Sequence, residues 1–232
     1  MIPLRDVIPS RTTPYITFAI IGLNALAWLY ELSLPRPLLQ PFLQTYGLVP
    51  AAFSGSTLVT SMFLHGSAST VLSSMFLHGS WSHVIGNMWY LWIFGDNVED
   101  RLGHGRFVAF YLLCGIAAAV GQTVMDPDSL LPMIGASGAI AGIMGAYFVL
   151  YPKSRVLTLI PLIIFWEIVE LPAIFLLGFW FVMQLFSAGA IAVTASSASG
   201  GVALVAHVAG FAMGVIGVFA FRQRRRAEQY WT

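Results

Sequence analysis

A chain of 232 residues that is 58% hydrophobic and only 9% charged lies outside the range of soluble domains, where about a quarter of residues carry charge. A net charge of +1 argues against a nucleic-acid partner, and a single cysteine, Cys114, excludes an internal disulfide. The solvent this composition suits is a lipid bilayer.

Six apolar runs approach the roughly 20 helical residues that a hydrocarbon core of about 30 Å demands. They cover residues 14–32, 81–97, 107–124, 133–151, 170–189 and 202–221. A chain in lipid must satisfy its own backbone, and no alternating pattern suggests a barrel, so the expected fold is an all-α membrane protein, a bundle of six transmembrane helices. Residues 1–13 read as a short leading segment and 222–232 as a basic tail. Arg5 and Arg11 before the first run resemble a signal peptide, but the run continues to "WLYELSLPRP" without a small-x-small cleavage site, so it reads as a retained span.

Cytoplasmic connections hold the excess of Lys and Arg. Arg5 and Arg11 precede the first run; Arg101 and Arg106, then Lys153 and Arg155, lie in the second and fourth connections; Arg222, Arg224, Arg225 and Arg226 follow the sixth run. Only Arg36 falls in an odd connection. Both termini are therefore expected in the cytoplasm, and "RQRRR" reads as a topology anchor.

With orientation set, depth follows. Ser137 lies fifteen residues before Pro152, about 22 Å along a helix, which is short of the full core. It should sit about 8 Å below the outer surface, with "SLLPMIGA" descending to it as non-helical chain shielded from lipid. His207 is also fifteen residues before Arg222, so the two share a level. His83 and Asn87 stand near the outer end of the second run, sixteen and twelve residues before Glu99. A serine among small residues commonly packs or bonds to its own backbone, whereas an ionisable group at membrane depth is costly and usually functional. The tryptophans Trp89, Trp92, Trp166 and Trp180 read as belt or packing residues, and Glu167 and Glu170 as groups within reach of water, with no assigned chemistry.

Glycines indicate how Ser137 and His207 could meet. Gly138, Gly142 and Gly145 line one face of the fourth run, and Gly210, Gly214 and Gly217 one face of the sixth. Small faces let two helices approach closely.

"GASG" opening one run, "AHVAG" in the last and "HGSWSHVIGN" before "VEDRLG" together resemble the rhomboid intramembrane serine proteases, over nearly the whole chain. The resemblance implies a six-helix bundle that cleaves other membrane proteins. It implies that Ser137 is the nucleophile and His207 its general base, that His83 and Asn87 form the oxyanion-binding pair, and that His78, Gly135, Gly138 and Gly210 support the site. Glu99 and Arg101 of "VEDRLG" look like the family's structural residues at the cytoplasmic end of the second span. The chemistry suits those residue types: a hydroxyl is a weak nucleophile until a base accepts its proton, and the resulting oxyanion needs preorganised donors, each typically worth about 3 kcal/mol. No carboxylate in the outer half of the spans is placed to orient His207, so the pattern reads as a dyad. No cofactor and no metal is implied; the partners implied are transmembrane protein substrates and the bilayer, in a bacterial cytoplasmic membrane with the site open to the outer side.

There are departures. An aromatic residue four positions after the serine stacks on the histidine in some members, where this chain has Ala141, and the Trp-Arg pair of some relatives is missing from the first external connection. "SMFLHGS" occurs at 61–67 and again at 74–80; only the second copy continues into "WSH", which makes His78 the family's upstream histidine and His65 the spare. "AIAVTASSASGG" at 190–201 suits either a mobile cap or a plain connector. Residues 156–189 exceed one crossing and carry Pro161 and Pro172, which predicts an interfacial segment before the fifth span; by resemblance, that span borders the lateral access route for substrate helices. Two rivals stand beside the protease: a catalytically silent relative that binds or escorts membrane proteins, and a small transporter or metal carrier using His65, His78, His83 and His207. Retention of Ser137 and His207 weighs against the first, and the lack of a His-Glu-x-x-His pattern or an inverted repeat against the second.

Overall fold

The structure is a computed structural model that describes residues 1–53, 68–161, 166–194 and 202–223. His65 with the first "SMFLHGS" copy, the 195–201 part of the small-residue connection, and Arg224, Arg225 and Arg226 lie outside the described residues. In chain order the elements are β1 (Ile2–Asp6), α1 (Tyr15–Ser33), α2 (Arg36–Tyr46), α3 (Ala68–Ser74), α4 (Trp81–Leu102), α5 (His104–Met125), α6 (Ser137–Leu150), β2 (Arg155–Pro161), β3 (Trp166–Pro172), α7 (Ala173–Thr194) and α8 (Val202–Phe221).

The helices α1 and α4 to α8 overlap the six apolar runs, with ends that differ by up to five residues. Among the described residues, three of them are long and apolar enough to cross a membrane: α1, α5, and α8 over Leu204–Phe221. Helix α6 has 14 residues, about 21 Å, and 133–136 approach it as non-helical chain, with Met133 paired to Leu48 through two backbone hydrogen bonds.

The expectation of an all-α fold needs correction. A three-stranded antiparallel sheet in the order β1-β2-β3 occupies the leading segment and the stretch expected to be a simple interfacial segment. Ile2 to Asp6 pair with Leu159 to Val156, and Arg155 to Pro161 pair with Pro172 to Trp166. The expected span 170–189 is corrected with it: Glu170, Leu171 and Pro172 close β3, and the helix begins at Ala173. β-branched and aromatic residues favour a pleated surface, and the prolines sit at strand ends or on the edge strand, where a missing N–H costs no ladder bond. Glu170, to which no chemistry was assigned, pairs with Arg155 across the sheet at 3.0 Å.

One end of the bundle is tied together by polar side chains. Helix α1 starts after Pro14, which offers no side-chain cap. Its exposed amides are met instead by Glu99 of α4, whose fully buried carboxylate accepts from Ile16 N (3.0 Å), Thr17 N (2.8 Å), Thr17 Oγ1 (2.7 Å) and His104 Nδ1 (2.6 Å). A carboxylate at a helix N-terminus meets both the orphan donors and the macrodipole, which gives the residue expected to be structural its physical role. Asp6 of β1 accepts from Asn97 Nδ2 and from Tyr147 Oη of α6, both at 2.8 Å. Burial pushes the Asp6 carboxyl up to about 6. Gln223, after α8, bonds the carbonyls of Arg101 and Leu102, so both described ends of the chain lie at this end of the bundle.

The core runs through α4, α5 and α6, where Leu91, Phe94, Phe107, Phe110, Ile143 and Tyr147 are all fully buried. Helices α6 and α8 meet backbone to backbone. A methyl group added at Gly210 would land on the Gly138 carbonyl, and one at Gly214 on the Gly142 carbonyl. The small faces read from the sequence are therefore in contact, and they set the spacing of the site.

Candidate active site

Ser137 is the first residue of α6, so its own N–H has no intrahelical partner and remains free to point at a ligand. Its side chain faces α8, where the glycine seam brings the backbones together, and Ser137 Oγ lies 2.8 Å from His207 Nε2. The other ring nitrogen, Nδ1, lies 2.9 Å from Gln184 Oε1 of α7. Because that oxygen can only accept, the imidazole carries its hydrogen on Nδ1 and turns a lone pair toward the serine hydroxyl, which donates to it.

The chain reaches Ser137 through Gly135, whose φ of +124° is a conformation that side-chain-bearing residues rarely adopt. A Cβ there would sit 2.7 Å from His83 Cε1 and Nε2 and 3.6 Å from Ser137 Oγ. The bare α-carbon thus keeps open the gap between the His83 ring and the serine. Gly135 N is in turn anchored to the Ser74 carbonyl at 2.8 Å. A cavity of about 20 Å³, bounded by Ser74, Met75, Met133, Gly135 and Ser137 among others, exceeds the roughly 10–15 Å³ that one water requires.

Asn87 is held one step back. Its Nδ2 donates to His78 Nε2 at 3.0 Å, leaving its second amide hydrogen unspent, and the His78 and His83 rings meet edge to face at 5.0 Å. Asn87 makes no hydrogen bond of its own to Ser137 or His207 among the described residues. The His78 backbone N–H donates to the buried carboxylate of Glu31, near the end of α1, at 3.1 Å. Gly138 packs against Ala118 of α5, and Gly210 against Gly138, so the four supporting residues all touch the scaffold of the site.

Sequence reasoning missed Gln184 and Glu31, and it did not identify what Trp180 packs against. Gln184 is the one amide side chain in α7, a polar exception in an apolar run. Trp180, taken as a belt or packing residue, places its ring 6.0 Å from that of His207 at 39°. Among the described residues no group of three or more His, Cys, Asp or Glu side chains is arranged to hold a metal ion.

The Rhomboid domain family model matches residues 65–224, more than half of the chain. The chain belongs to the rhomboid family. Similarity to curated rhomboid proteins is modest: 40% identity over 65 residues to "Rhomboid protease GluP" of Bacillus subtilis (28% of this chain, 12% of that protein), 29% over 149 residues to "Rhomboid protein 1, mitochondrial" of Saccharomyces cerevisiae (61% and 38%), and 30% over 140 residues to "Putative rhomboid protease YdcA" of Bacillus subtilis (59% and 62%). The chain spans less than two thirds of the length of each of these relatives. Family and apolar helices together make this rhomboid an integral membrane protein.

Proposed function

We propose that this rhomboid is an intramembrane serine endopeptidase that cleaves transmembrane proteins near the outer face of the membrane with a Ser-His pair. The observation that carries the reading is the 2.8 Å hydrogen bond between Ser137 Oγ and His207 Nε2. In this reading the six apolar helices span the bilayer with both termini in the cytoplasm, and the capped, polar end of the bundle faces inward.

Ser137 attacks the scissile carbonyl as its proton passes to His207 Nε2, and His207 then delivers that proton to the leaving amine. The oxyanion is met by the Ser137 N–H, the His83 ring and the spare Asn87 amide hydrogen. Those donors act where water is scarce, which is why such groups are worth far more than in bulk solvent. The acyl-enzyme is hydrolysed by a water for which the cavity beside Ser137 has room. A peptide locked in a helix cannot present its carbonyl, so substrates are transmembrane segments that unwind locally.

The test is cleavage of a transmembrane reporter in liposomes, with fluorophosphonate labelling alongside. Ser137→Ala and His207→Ala should each reduce cleavage to background, the double variant should be no worse than either single one because the two act as a unit, and Ser137→Ala should abolish labelling. A wild-type protein that neither cleaves nor labels would point instead to the silent relative that binds or escorts membrane proteins.

A further inference from the structure

A base that first takes a proton at Nε2 and later returns it must begin each cycle in one tautomer, with its ring held at one angle. Neither is supplied by the usual means here: no carboxylate contacts His207 among the described residues, and position 141 carries only a methyl group. Both come from α7. The Gln184 oxygen accepts the Nδ1 hydrogen at 2.9 Å, and Trp180, four residues earlier and therefore on the same helical face, lays its indole beside the imidazole. Trp180 also packs on Phe211 of α8 at 6.0 Å, one turn beyond His207, so the ring is braced from the helix that carries the histidine.

We infer that Gln184 is the positioning residue of this site, fixing the Nδ1–H tautomer and the orientation of His207 from α7. This rests on reading Ser137 and His207 as nucleophile and base. An amide differs from a carboxylate in that it stays uncharged at every pH, so it selects the tautomer without stabilising the imidazolium. Among the described residues, the titratable side chain that faces the site from α4 is His83, beside Gly135 and Ser137.

The test uses the full chain in detergent micelles, with Gln184→Leu and Gln184→Glu. Leucine should lower kcat about tenfold, the worth of one neutral hydrogen bond, with KM unchanged. Glutamate should restore kcat while moving the acidic limb of kcat/KM up by about one pH unit, because a carboxylate favours the charged ring. A purely structural residue would not produce that displacement. Independently of turnover, ¹⁵N-histidine spectra should place the His207 hydrogen on Nδ1 in the wild type, with His207→Ala assigning the signal, and should show mixed tautomers in Gln184→Leu. A wild-type hydrogen on Nε2 overturns the inference, as does an identical tautomer and kcat in Gln184→Leu. So does an unmoved pH limb in Gln184→Glu, which decides the matter should the leucine variant not fold. If Ser137→Ala cleaves like the wild type, the peptidase reading falls, while the tautomer spectra still judge Gln184.

Discussion

Between α6 and α8 the contact is backbone on backbone, whereas α7 reaches the same pair through the side chains of Trp180 and Gln184. The seam leaves no room: each carbonyl of Gly138 and Gly142 occupies the place where a Cβ of Gly210 or Gly214 would be. Helix α7 is looser. Leu176 and Leu177 are buried, but Phe175 is 70% exposed and Phe186 72%. The distance between nucleophile and base is thus set by a rigid pairing of helices, and the angle of the base by a helix that has much less holding it. Close packing resists displacement because interiors are already filled, so the two properties can be perturbed separately.

The largest break should come from the seam. Gly214→Leu cannot fit without driving α6 and α8 apart, and overpacking of that kind costs about 3 kcal/mol or more; unfolding in mixed micelles should show the loss, with cleavage absent even below the new midpoint. Gly135→Ala acts just before the start of α6. It forces a side chain into a positive-φ position, costing about 1–3 kcal/mol, and pushes a methyl group at the His83 ring, so kcat should fall about a hundredfold, as for a lost oxyanion donor, while most of the thermal stability stays.

At the C-terminal end of α6 the effect is smaller and depends on pH. Asp6, the acceptor for Tyr147, has its carboxyl raised from 3.8 to about 6 in the folded chain, so the folded state holds a proton that the unfolded state has lost. That stabilisation is complete below pH 4 and disappears as pH rises through about 6. The thermal midpoint of the wild type should therefore carry a decline across this window that Asp6→Asn lacks, and equal slopes in the two proteins would remove Asp6 as its source. The smallest effect belongs to the loose side: Phe175→Ala, on the exposed face of α7, should change stability by no more than about 0.5 kcal/mol and leave kcat alone. A large loss there would show α7 to be as tightly built in as the seam.

The same contrast explains what could be read from the sequence. The Ser137–His207 contact was legible because polar exceptions in apolar runs are few and the Gly-xxx-Gly spacing marks which faces meet. The shortness of α6 was legible from the basic boundary at Lys153. In α7 the lone glutamine was the available signal and went unused; without it the helix is apolar all round, so the face that carries Trp180 inward is not marked. The sheet was hidden for another reason: in "VLTLIPLIIFWEIVELP" the apolar residues run on without clear alternation, and β1, the partner of β2, lies some 150 residues earlier in the chain. Glu31 ends its run looking like a simple span boundary, and only the fold brings the His78 amide to it.

Glu99 has a consequence for how the molecule is made. The amides it caps belong to residues 82 and 83 positions earlier, so the first transmembrane helix leaves the ribosome well before its cap exists. The cap of that helix is therefore a long-range contact, complete only once residues some 80 positions later have been made and packed against it.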